Sequence, residues 1–249
     1  MHRFYLPPDR CRESVLTLGG REAHHALHVL RVKRGEPVTI LDGAGGVYLC
    51  DLESAGKDSL TLAVKSRQTV PPPPCPISLL VAIPKGKIIE DIIPKAVELG
   101  AHRIVPLLTE RVVTQLDAAG AEAKREKWQQ TAVEAIKQCG AAWLPKLATP
   151  VSLTDFLARQ ETFELPLVGS LQTARRHPRE WLRDFETQHG RRPRSAAIFI
   201  GPEGDFTAAE LQQIESAGAK PITLGALTLR VETAVIYCLS FLNYELAEQ

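Results

Sequence analysis

Ile200-Gly-Pro-Glu-Gly-Asp-Phe206 and Leu224-Gly-Ala-Leu-Thr-Leu-Arg-Val-Glu-Thr-Ala234 decide how this chain folds. Each follows a short apolar run and leads into a helical pattern. Glycine tolerates positive φ and lets a backbone approach a ligand closely. Loops of this kind belong at the ends of parallel strands, where open α/β sheets bind ligands. Neither stretch has the Gly-x-Gly-x-x-Gly spacing of a dinucleotide site or the Gly-Lys-Ser/Thr ending of a phosphate loop. Taken singly, the first is an ordinary strand-to-helix turn. Two close-approach loops at successive strand ends make a pocket.

The surrounding sequence has the alternation such a sheet needs. Ile77-Ser-Leu-Leu-Val-Ala-Ile83 is a continuous apolar run, as for a strand covered on both faces. A helical pattern follows from Ile88 to Leu99, with Pro94 expected to kink or restart it and Gly100 to stop it. Further strands are expected over Arg103–Leu107, Leu165–Gly169, Ala196–Ile200 and Pro221–Leu224, with helices over about 121–138, 178–188, 208–217 and 231–247. Thr207-Ala-Ala-Glu210 is a capping box opening the 208–217 helix. This βα order argues for a parallel sheet with helices on both faces. The final helix is apolar on most sides, although one core needs only one stripe. The excess points to burial of a second face against another subunit, a homodimer.

Val70-Pro-Pro-Pro-Pro-Cys-Pro76 is the clearest boundary. Consecutive prolines cannot donate ladder or helix hydrogen bonds and favour a stiff spacer. The sequence thus divides into a domain over 1–70, a linker over 70–76 and a domain over 77–249. The first reads mostly as β. Pro37–Leu41 and Val47–Leu52 flank the glycine-rich turn Asp42-Gly-Ala-Gly-Gly46, Ser59–Val64 alternates like a half-buried strand, and Glu22–Leu30 reads as one short helix.

Composition is that of an ordinary globular protein: 249 residues, 44% hydrophobic and 24% charged, with a formal net charge of +1. This is not the basic excess of a protein that coats nucleic acid, although residues 1–70 carry ten Lys and Arg against eight Asp and Glu. The five cysteines, Cys11, Cys50, Cys75, Cys139 and Cys238, contain no Cys-x-x-Cys pair and read as reduced thiols. His24 and His28 lie i, i+4 on the expected helix, but no carboxylate or cysteine completes a set, and no metal is expected. No apolar stretch approaches the roughly 20 residues of a membrane span, and the N-terminus lacks a signal-peptide core, so a cytoplasmic location is expected.

The two glycine loops resemble the knot loops of the SPOUT class of S-adenosyl-L-methionine-dependent RNA methyltransferases. The chain is most similar to the small-subunit ribosomal RNA methyltransferase E family, whose pattern is a Leu-Gly strand end, a loop, and Leu-Arg-x-Glu-Thr-Ala opening the last helix. Arg230, Glu232, Thr233 and Ala234 match it. So do Lys95-Ala-Val-Glu-Leu-Gly100, Ile104-Val-Pro-Leu-Leu-Thr-Glu-Arg111, Gln138-Cys-Gly140, Arg3-Phe4-Tyr5 and Val29-Leu-Arg31. The resemblance implies a deep trefoil knot in the C-terminal domain and a small N-terminal PUA-like β-barrel that binds RNA. It implies transfer of a methyl group from S-adenosyl-L-methionine to uridine N3 in 16S ribosomal RNA, within the small subunit.

Carried onto this chain, the resemblance implies that Ile200, Gly201, Pro202, Glu203, Gly204, Leu224, Gly225, Leu229 and Arg230 line the cofactor. Arg230 would orient the base through its planar fork. Glu98 or Glu232 would relay the imide proton. Glu98 stands at a helix C-terminus, unfavourable for the macrodipole, and so calls for a partner such as Lys95 or Arg111. Arg3, Arg31, Lys33, Arg34 and Arg111 are the RNA-binding candidates. Three departures stand out. Asp205 occupies the place of a usual second glycine, Ala141 follows Gln-Cys-Gly in place of an arginine, and Leu227 replaces the arginine of Leu-Gly-x-Arg. The missing arginines leave two alternatives open: a SPOUT methyltransferase for another RNA site or a ribose 2′-OH, and a non-catalytic RNA-binding assembly factor.

Overall fold

Apolar runs become the buried strands of a parallel sheet, and a computed structural model describes residues 2–114, 116–171 and 175–247. In chain order the elements are β1 (His2–Tyr5), β2 (Val15–Gly19), α1 (Gly20–His24, continued by a π turn over His25–Val29), β3 (Pro37–Leu41), β4 (Gly46–Ala55), β5 (Ser59–Thr69) and β6 (Ile77–Ala82). Then come α2 (Ile88–Glu98), β7 (Ala101–Leu108), α3 (Ala118–Cys139), β8 (Lys146–Leu147), β9 (Val151–Ser152), α4 (Leu153–Ala158) and β10 (Leu165–Gly169). The chain ends with α5 (Pro178–His189), β11 (Ala196–Ile200), α6 (Ala208–Ser216), β12 (Lys220–Ile222) and α7 (Val231–Leu246).

The chain divides into two units. One comprises residues 1–72 with 133–144, and the other 73–132 with 145–249. A division at the prolines alone does not anticipate the 133–144 segment. Its place in the first unit has visible causes. Arg3 donates to the carbonyls of Lys137 at 3.3 Å and Gln138 at 2.9 Å, Lys137 pairs with Glu22 at 2.8 Å, and the Trp143 indole donates to Val70 and Pro71 carbonyls.

In the first unit five strands form a curled sheet in the order β1-β3-β4-β5-β2, parallel only between β1 and β3. The β4–β5 register shifts at Leu49/Cys50 and Leu52/Ser54, irregularities that increase local twist. Phe4, Leu16, Leu18, Ile40, Leu60 and Leu62 fill its core.

The second unit holds a parallel sheet in the order β12-β10-β11-β6-β7-β8, with β9 also on β7. Every residue of β6 and β11 is buried, as their unbroken apolar sequences require. Leu80, Val105, Phe156, Val168, Phe199, Phe206 and Leu211 form a core with α4 and α6. Helix α7 packs against α2, β6 and β11. Helix α2 runs unbroken through Pro94, because five of its side chains, from Ile89 to Val97, are buried and hold the helix in place across the missing N–H. Among the described residues no helix is long and apolar enough to cross a membrane.

Candidate functional site

The first glycine loop leaves β11 at Ile200 and reverses through a turn in which Asp205 N–H donates to the Pro202 carbonyl at 2.9 Å. Phe206, fully buried, anchors the far end, and Thr207 caps α6 with Glu210 in a capping box. Neighbouring loops hold this turn from outside. Glu203 Oε1 accepts the Lys85 N–H at 2.9 Å, Glu210 Oε1 accepts the Glu110 N–H at 2.7 Å, and the Arg111 guanidinium donates to the Gly204 carbonyl.

The second loop follows β12. Gly225 has φ +103°, a conformation glycine adopts freely, and its N–H donates to Thr223 Oγ1 at 3.3 Å. The loop ends at Arg230, the N-cap residue of α7, whose side chain makes no capping bond. The first turn of α7 thus opens beside the loop, and its N-terminal dipole favours negative charge there.

Between these loops lies a cavity of about 400 Å³, within the usual size for a small-molecule site. Of the expected cofactor residues, Ile200, Gly201, Pro202, Glu203, Leu224, Gly225, Leu229 and Arg230 line it, and so does Glu232. Gly204 does not; its carbonyl turns to Arg111. Glu98 does not either. It is exposed at the end of α2 and outside the lining, so the structure does not bring this candidate proton relay to the cavity.

The cavity also has a third wall, Gly169 at the end of β10 with Ser170 and Leu171 after it, and Arg175 beyond. Sequence reasoning misses this wall. The one signal is Gly169, where a Cβ would stand 3.3 Å from Ile200 Cδ1 and 3.5 Å from Leu224 Cδ1. Ile88, Asp205, Leu227, Thr228, Val231 and Ala234 complete the set not named as pocket residues from the sequence. The topology explains why β10 contributes. Strand β12 lies beside β10 rather than beside β11, so the chain passes over β10 between its two glycine loops.

The lining suits S-adenosyl-L-methionine. Apolar walls from Ile200, Leu224 and Leu229 can cover an adenine, backbone at the glycine loops can read its edge, and the lining carries the carboxylates of Glu203, Asp205 and Glu232. Arg230 lines the cavity, is exposed, and among the described residues forms no ion pair with Glu203 or Glu232.

The RNA-binding candidates part company. Arg31, Lys33 and Arg34 are exposed on the loop before β3, and Arg31 holds φ +53°. Arg3 and Arg111 are exposed too, and each also donates to protein, Arg3 to carbonyls at the end of α3 and Arg111 to the Gly204 carbonyl. His24 and His28 stack with ring centroids 4.7 Å apart, and among the described residues no three metal-ligating side chains gather.

Comparison with known proteins now identifies the frame. An RNA methyltransferase domain model matches residues 71–243, and an RNA methyltransferase PUA domain model matches residues 18–65. Ribosomal RNA small subunit methyltransferase E of Synechocystis sp. is 31% identical over 247 residues, covering 97% of this chain and 77% of that protein. The Bacillus subtilis protein of the same name is 29% identical, covering 98% of this chain and 97% of its own. A putative methyltransferase from Legionella pneumophila, solved in complex with bound SAM, has a TM-score of 0.87 and 30% identity, covering 99% of this chain and 98% of its own. Ribosomal RNA small subunit methyltransferase E from Neisseria gonorrhoeae, bound to S-adenosyl methionine, has a TM-score of 0.83 and 26% identity, with 98% of each chain covered. The matches span both units, and this chain belongs to the ribosomal RNA small subunit methyltransferase E family.

Proposed function

We propose that the protein is an S-adenosyl-L-methionine-dependent methyltransferase acting on 16S ribosomal RNA, at uridine N3. The observation that carries this reading is the cavity itself. Two glycine loops and the opening of α7 enclose it in a chain whose Legionella and Neisseria relatives were solved with that cofactor. The cofactor supplies an electrophilic methyl group on a sulfonium. Uridine N3 must lose its imide proton to become a good nucleophile, and that anion needs a positive field. Arg230 and the N-terminus of α7 offer one at the same edge of the cavity. Glu232, which lines the cavity in the first turn of α7, is the better placed of the two proton-relay candidates. Holding base and methyl in near-attack geometry is the rest of the task.

We further propose the trefoil knot, which fits a C-terminal segment that returns to β10 after β11 and then docks α7 on the sheet. The first unit is proposed as the PUA-like barrel that meets RNA through Arg31, Lys33 and Arg34. A homodimer through α7, a substrate within the small subunit and a cytoplasmic site of action complete the reading.

The test combines two measurements. Calorimetry should show binding of S-adenosyl-L-methionine without RNA. Nucleoside mass spectrometry of ribosomal RNA, from cells with and without the gene, should show loss of one N3-methyluridine. Folded protein that binds no cofactor would sink the reading. Loss of a ribose-methylated nucleoside instead would move the acceptor to a 2′-OH.

A further inference from the structure

We propose that Asp205 is a positioning residue: its carboxylate ties the loop after β10 to the loop after β11 and so fixes the third wall of the cofactor cavity. The proposal rests on the methyltransferase reading of that cavity.

The observations begin with the backbone. Asp205 has φ +61°, and among the described residues only Arg31 and Gln160 share a positive φ without being glycine. Asp205 is the one of these three that lines the cavity. L-residues pay for this conformation, aspartate less than most because its short side chain can bond locally. Here both carboxylate oxygens are used. Oδ1 accepts the Phe206 N–H at 2.8 Å, and Oδ2 accepts the Leu171 N–H at 3.0 Å. The first bond is local and supports the turn. The second crosses to a different loop, 34 residues away in sequence.

Leu171 lies two residues beyond the end of β10, with its side chain half exposed on the cavity wall. Its neighbour Ser170 is buried and accepts a hydrogen bond from Arg175 at 3.1 Å. The tie from Asp205 thus acts on the backbone at Leu171, next to the buried Ser170. Gly201 makes room for it, because a Cβ there would stand 3.0 Å from Asp205 Oδ1. A glycine at position 205 would take the same φ without strain but could hold neither amide. The aspartate exchanges conformational ease for a clasp between two walls, which is a physical reason for the departure at this position.

The test uses the full-length protein, wild type, Asp205→Gly and Asp205→Asn, with S-adenosyl-L-methionine and its demethylated product as probes. The glycine variant removes the clasp and relieves the backbone. The asparagine variant tolerates the backbone, removes the charge and keeps one acceptor oxygen, enough for one of the two amides. We expect Asp205→Gly to bind both probes about tenfold more weakly, the scale of one lost bond to a charged acceptor. Its melting temperature should stay at the wild-type value or rise, and the Leu171 amide should exchange faster with solvent. Asp205→Asn, whose single oxygen can hold one of the two amides, should fall between the wild type and Asp205→Gly in both affinity and exchange. Wild-type affinity in Asp205→Gly would overturn the proposal. So would a Leu171 amide that exchanges at the wild-type rate in Asp205→Gly, since no clasp would then have been lost. A wild type that binds neither probe would instead overturn the functional reading, and the positioning role with it.

Discussion

Glu203 accepts the backbone N–H of Lys85 through Oε1 at 2.9 Å, so the carboxylate nearest the centre of the first glycine loop already serves the loop between β6 and α2. A carboxylate lining a cofactor cavity invites an electrostatic role toward a sulfonium. The geometry gives it a mechanical one. Replacing Glu203 with glutamine keeps an acceptor for Lys85 and removes the charge, while alanine removes both. We expect Glu203→Gln to bind S-adenosyl-L-methionine within about threefold of wild type and Glu203→Ala to fall about tenfold, in line with one lost hydrogen bond. Equal losses in the two variants, measured by calorimetry, would return the residue to the sulfonium.

Gly201 and Gly225 are needed for different reasons, and their variants should separate accordingly. A Cβ at Gly201 would come within 3.0 Å of Asp205 Oδ1 and of the Phe206 backbone nitrogen, so alanine there must push the loop apart. At Gly225 a Cβ meets nothing within 4 Å, and the obstacle is φ +103°. Strain of that kind costs about 1–3 kcal/mol. Gly225→Ala should therefore fold and bind cofactor more weakly, with Gly201→Ala the weaker binder of the two. Calorimetry alongside thermal melts would expose the opposite order.

Four of the five thiols are shut away. Burial is the largest cause in each case, and it pushes Cys11 and Cys50 up to about 11 and Cys75 and Cys238 up to about 12. Cys139, at the end of α3, is exposed. A thiolate is the reactive form, so the native protein at pH 8 should consume one equivalent of a thiol reagent quickly and four more only in denaturant. A second fast equivalent would mean that one of the buried sites opens readily.

Much of the second unit is legible in the sequence because parallel strands covered on both faces are written as apolar runs. Ile77–Ala82 and Ala196–Ile200 announce themselves in this way. Helix α4 escapes because six residues, Leu153–Ala158, are too few to establish a period, and β8 and β9 have only two residues each. The alternation at Val15–Gly19, which buries Leu16 and Leu18, is equally short and passes unread. In the site, the two glycine loops are legible because their backbones need glycine. The wall after β10 is not, since its ties are made by Asp205 and by amides, which leave no pattern. Side-chain destinations are the least legible of all: nothing in the sequence tells that Arg3 donates to the carbonyls at the end of α3.

Arg230 is expected to matter for turnover more than for cofactor affinity. It lines the cavity, stands at the N-cap of α7 and, among the described residues, has no ion pair with Glu203 or Glu232. Arg230→Lys keeps the charge and loses the planar fork. A large fall in single-turnover rate with nearly unchanged cofactor affinity and melting temperature is the expected result. A lower melting temperature with a normal rate would make Arg230 scaffolding and send the search for the base-orienting group elsewhere.

The last helix should be a dimer interface along one identifiable stripe. Val231, Val235, Cys238, Leu239, Leu242 and Leu246 are buried within the chain, so the apolar excess of α7 is not all spare. What remains is Tyr237 and Tyr244, 43% and 68% exposed, with half-buried Phe241 between them and half-buried Ile236 beside Tyr237. Positions 237, 241 and 244 follow the i, i+4, i+7 spacing of one helix face. This also chooses the variants. Leu242→Arg would bury a charge in the chain's own core and test folding rather than assembly. Tyr244→Arg and Phe241→Arg place the charge on the open stripe. Each should convert a dimer to a folded monomer in sedimentation experiments, with Tyr244→Arg leaving the melting temperature closer to that of wild type because its side chain is mostly in solvent. A wild-type protein that sediments as a monomer at micromolar concentration would leave the stripe unoccupied and remove the homodimer from the proposed mechanism.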